Sequence, residues 1–165
     1  MNLKSECRML KTKSDNIAEY ILYLWQIEDY LRAFPEQAEA TPELHDFQQM
    51  MHREGILEGG HLQLAQNALA ELEELHAQLL NEDAMYRAAI IRLQPSLNLL
   101  KAKTDRPTMS DIEASLTLLY QIMLLRLQKK EITPQTAEVQ QRATQLLQFL
   151  SKAYFSGYRD NGMSE

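Results

Sequence analysis

NIAEYILYLWQIEDYLRAF, residues 16–34, decides the fold. At 100° per residue, Ile17, Ile21, Leu24, Trp25 and Leu31 share one broad side, and only a strip around Glu19, Gln26 and Ala33 suits water. A helix that is apolar nearly all round belongs at the centre of a bundle. Glu28 and Arg32 nevertheless project from the middle of its apolar side, with Asp29 beside them. Either these charges are satisfied inside the protein, or they form the floor of a site.

Working outward, Asn16 with Glu19 three positions on is a capping box that starts this helix, and Pro35 ends it by disfavouring helical geometry in Phe34. Thr41-Pro42-Glu43 starts the next: an N-cap, a proline at the first position and an acid in the first turn. Gly55, Gly59 and Gly60 interrupt the apolar phase that runs from Phe47 towards Leu72. A glycine pair costs about 2 kcal/mol of helix propensity relative to alanine, so the spacing favours two helices with a break at 55–60 over one bent helix. A helix over 62–80 follows. The next is capped by Asn81 or Asp83 and holds Pro95, where a bend is expected. Ser110 to Glu113 is a second capping box, and Thr133-Pro134 opens the last helix, with Gly157 as its stop.

The reading is all-α: a single antiparallel bundle of five or six helices with the first helix central. Its domain limits are a mobile basic leader at 1–13, the bundle at 14–157 and a disordered tail at 158–165. Val139 is the one valine in 165 residues, and no stretch alternates with period two. A net charge of −6 argues against a general nucleic-acid binder. The longest greasy run, Leu116 to Leu125, is far short of the ~20 apolar residues of a membrane span. Cys7 is the lone cysteine, excluding an intramolecular disulfide and a cysteine metal knuckle. The chain is expected to be cytoplasmic.

Four motifs carry a resemblance: residues 16–29, Gly60 to Gln63, Glu74 to His76, and Leu124 to Ile132. In that order and spacing the chain resembles a bacterial helical family catalogued as domain of unknown function 4924, from about Asn16 to Tyr154. The resemblance implies an all-helical fold and carries no activity, cofactor or catalytic residue with it.

Chemistry has few candidates. Glu28 and Arg32 are four apart and are expected to pair along the helix. In the structural reading this is a buried ion pair, completed by tyrosine hydroxyls or Arg126, that sets helix register. In the functional reading Arg32 holds an anionic ligand and Glu28 or Asp29 acts as base. Glu58-x-x-His61 and Glu73-x-x-His76 share the spacing of di-iron bundles. On one helix the two copies lie ~22 Å apart at 1.5 Å per residue, so no shared metal site and no cofactor is expected. Lys129, Lys130 and Arg126 read as charge offsetting a helix C-terminus. Two functions remain. The first is a non-enzymatic protein, a homodimer or the binder of another protein, motivated by apolar excess on most helices. The second is a small-molecule binder or enzyme whose pocket, between the first helix and residues 60–76, joins Glu28, Asp29, Arg32, His61, His76 and Arg126.

Overall fold

The computed structural model describes the backbone of residues 16–163 and the side chains of residues 16–157; the leader expected at 1–13 lies outside them. Six α-helices follow one another: α1 Ile17–Ala33, α2 Pro42–Arg53, α3 Gln63–Glu82, α4 Ala84–Lys103, α5 Asp111–Leu127 and α6 Pro134–Met163, with a short 3₁₀ turn Pro35–Glu39 between α1 and α2. No strand occurs among the described residues. The fold is an all-helical bundle.

The predicted starts are built as their sequences require. Asn16 Oδ1 accepts from the backbone N–H of Glu19 at 3.0 Å, Thr41 Oγ1 from that of Leu44 at 3.1 Å, and Ser110 Oγ from that of Glu113 at 3.1 Å. Asp83, not Asn81, caps α4, accepting from Tyr86 N–H at 2.9 Å. Each satisfies a donor that has no partner inside its helix.

Helix α1 packs against α2, α3, α5 and α6, and nine of its 17 residues are buried. Helices α3, α5 and α6 also touch four helices each and share the centre with it. Tyr86, Leu97, Ile112, Leu116 and Leu150 bring the other helices into the same core.

Two helices, not one bent helix, occupy 42–82. Gly55 takes φ +69°, and Ile56 N–H reaches back to Met51 C=O at 3.0 Å, the closure that ends a helix with a left-handed residue. Asp105 and Lys129 do the same at the ends of α4 and α5, with φ of 54° and 56°. Helix α4 is unbroken through Pro95, which removes one hydrogen bond of a long ladder. The last helix does not stop at Gly157 but continues to Met163. One glycine costs only about 1 kcal/mol in a helix interior, too little to end a 30-residue helix by itself.

Candidate functional site

Glu28, in the fourth turn of α1, is wholly buried. It is not paired with Arg32. Its two carboxylate oxygens lie 3.1 and 3.2 Å from His61 Nδ1, which donates, and one also accepts from Leu62 N–H at 3.4 Å. Leu62 is the N-cap position of α3 and has no capping side chain of its own. Glu28 therefore serves as a cap delivered from another helix, its negative charge at the positive end of the α3 dipole. Glu54 completes the start by accepting from Gln63 N–H at 2.7 Å. The His61 ring stacks on Trp25, with centroids 4.8 Å apart and planes 21° from parallel. Its side chain is 40% exposed, and among the described residues only Nδ1 is hydrogen-bonded to a side chain.

Arg32 turns instead to the α2–α3 connection. Its guanidinium donates to Ile56 C=O from Nε at 3.2 Å and from Nη2 at 2.9 Å, to Gly60 C=O at 2.5 Å, and to Asp29 Oδ1 at 3.2 Å. The tight turns at Gly55 and Gly60 leave carbonyls without helical partners, and a rigid fork of donors meets them better than an ammonium would. Asp29 in turn accepts from the hydroxyl of Tyr120 on α5. Burial, then the hydrogen bond to and charge of Asp29, push the Tyr120 phenol above its ordinary range. Glu28, Asp29, Arg32 and His61 thus meet at one place, and what they jointly hold is the segment 54–62.

His76 and Arg126 are elsewhere. His76 lies 15 residues beyond His61 and 13 residues, about 20 Å, into α3 from its start at Gln63. Its Nδ1 is 2.5 Å from the hydroxyl of Tyr86, which is fully buried. Desolvation lowers the His76 pKa against the opposing pull of Asp111 and Glu73. Desolvation, and to a lesser degree the charge of Asp111, raises that of Tyr86. Asp111 is held by Lys101 at 2.6 Å and Gln94 at 3.1 Å, and Glu73 by the hydroxyl of Ser110 at 2.7 Å. Burial disfavours ionised Asp111, but those two hydrogen bonds and the Lys101 charge outweigh it and keep its pKa low. Reading the sequence residue by residue missed this network, because its members come from α3, α4 and α5. The signal available was a histidine and a tyrosine ten apart around a helix–helix turn. Arg126 donates to Gln140 on α6 at 2.6 Å and belongs to neither set. Among the described residues no three His, Cys, Asp or Glu side chains form a group that could hold a metal ion.

A third feature is apolar. Met85, Ile91 and Leu99 on α4 are 78, 68 and 56% exposed. Met85, Ala88, Arg92, Pro95, Leu99 and Lys103 recur at helical spacing along one uncovered stripe. The stripe runs into a groove of about 380 Å³ between α4, α5 and α6, lined by Leu99, Leu118, Leu125, Val139 and, at its rim, Lys103.

Six packed helices, with polar side chains spent on clamping loops and helix ends, define a helical-bundle protein. The sequence profile described as "Domain of unknown function (DUF4924)" matches residues 9–44 and 35–161, and the chain belongs to that family. No curated protein and no solved structure matches the chain. No helix among the described residues is long and apolar enough to cross a membrane.

Proposed function

We propose that the chain is a cytoplasmic, non-enzymatic protein that acts by binding another protein through the outward face of α4 and the groove beside it. The observation that carries this is the α4 stripe. Isolated exposed apolar residues are ordinary, but large ones repeated on one helical face beside an apolar groove mark an interaction surface. Against the small-molecule reading stand two facts. Arg32 has four of its five N–H donors committed to Ile56, Gly60 and Asp29, and His61 and His76 face no common space.

Photocrosslinking in living cells tests this. A photoreactive residue in place of Leu99 should give discrete covalent adducts, while one in place of exposed Gln49 on α2 should give none. Equal labelling from both positions, or none from Leu99, would overturn it.

A further inference from the structure

We infer that the α4–α5–α6 groove receives an acidic amphipathic helix of a partner protein; this rests on the interaction reading above and specifies its occupant. Charge is the first argument. Helix α4 carries four of the chain's 17 Lys and Arg and none of its 23 Asp and Glu. Two of the four are spent internally: Arg87 donates to the carbonyls of Leu80 and Asn81, and Lys101 to Asp111. Arg92 and Lys103 remain, exposed, on the same stripe as Met85 and Leu99. No acid lines the groove. Past its α5–α6 end, Arg126, Lys129 and Lys130 gather with only Glu131 against them. Leu125 of the groove is next to Arg126, and Thr136 is next to Ala137 of the basic corner, so apolar floor and cationic end adjoin along both α5 and α6.

Shape is the second argument. The groove walls are helices, and no sheet edge is present among the described residues to take a strand. An apolar groove with Lys103 at its rim and a predominantly cationic corner at its end suits a helix that presents anchors at i, i+4 and i+7 and opposite charge on its flanks. A second copy meeting this one face to face would set Arg92 and Lys103 against their own images, and like charges juxtaposed at an interface are costly.

The test uses the full chain and a library of random displayed peptides of ~16 residues, about four helical turns. Selection on the protein, with counter-selection on Leu99→Asp, should enrich peptides with apolar residues at helical spacing and a marked excess of Asp and Glu. Leu99 is more than half exposed, so the variant keeps its fold, which circular dichroism verifies. Fluorescence anisotropy of an enriched peptide should then show binding weakened ~10-fold or more by Lys103→Glu with Lys130→Glu, and unchanged by Glu43→Lys on α2. Four outcomes overturn the inference: no enrichment, neutral or basic peptides, indifference to the double charge reversal, or displacement of the peptide by phosphatidylglycerol vesicles. Failure here with Leu99 crosslinks retained removes the acidic partner and leaves the interaction reading. Loss of the crosslinks as well removes both.

Discussion

His61 and His76 stand 15 residues apart on one continuous piece of chain, and each commits Nδ1 to a buried partner. The partners differ in kind. His61 meets a carboxylate with no solvent exposure, at a helix start, with Trp25 against its ring. His76 meets a neutral phenol at the seam of three helices, with Asp111 and Glu73 acting on it only at longer range. A charge inside a bundle must be matched wherever it sits, so Glu28 dictates the geometry of the loop that delivers His61 and Leu62. A phenol sets no such demand. Similar hydrogen bonds therefore do different work: the first fixes a connection, the second tunes a proton.

The comparison breaks most visibly at Glu28. His61→Ala leaves the carboxylate buried with only the Leu62 N–H, and should cost about 3 kcal/mol, the lower end for a broken buried pair because His61 is itself partly exposed. Glu28→Gln removes the charge along with the pairing and should cost less, about 1–2 kcal/mol. Urea denaturation of both proteins reads the order directly. If Glu28→Gln were the costlier change, the carboxylate would not be a buried charge in need of a partner.

At the other histidine the expected effect is smaller and depends on pH. Tyr86→Phe leaves His76 Nδ1 without its partner and should cost about 1–2 kcal/mol at neutral pH. The His76 pKa is depressed in the fold from 6.5, so the folded state disfavours the charged ring. That contribution is complete above pH 6.5 and is lost as pH falls through the lowered value. Midpoints of denaturation measured from neutral to mildly acid pH should fall less steeply for His76→Gln than for the parent. Parallel curves would show that this ring titrates as it does in the unfolded chain.

The two histidines also show how far the sequence could be read. Helix starts were legible because a cap is a local event: Asn16, Thr41 and Ser110 each act within three residues. The break at Gly55 was legible for the same reason. The Glu28–Arg32 pairing was expected on a local rule, and the rule lost to distant groups. Loop carbonyls of Ile56 and Gly60 took the guanidinium, and the α3 start took the carboxylate. The His76 network lay beyond reach because no spacing announces that α3, α4 and α5 meet at Tyr86 and Asp111. Gly157 misled in the opposite way, as a local stop signal overruled by its helix. The α4 stripe was present as pattern, but exposure is a property of packing, and only the fold shows which apolar face lacks a neighbour.

Two helix caps sharpen the comparison with the smallest effects. Thr41 caps α2, on the side of the molecule that carries the clamped loop, and its hydroxyl makes one such bond, to Leu44 N–H. Ser110 caps α5 on the His76 side, where its hydroxyl both accepts from Glu113 N–H and donates to Glu73. Thr41→Ala should cost about 1 kcal/mol, the usual worth of an N-cap. Ser110→Ala should cost a few tenths of a kcal/mol more, because the half-buried Glu73 carboxylate loses a donor as well. Glu73 also acts electrostatically on His76, so freeing its carboxylate should shift the His76 titration. Ring-proton chemical shifts followed against pH would detect that. A Ser110→Ala protein in which His76 titrates unchanged would mean that the cap and the histidine are independent, and that the network ends at Asp111.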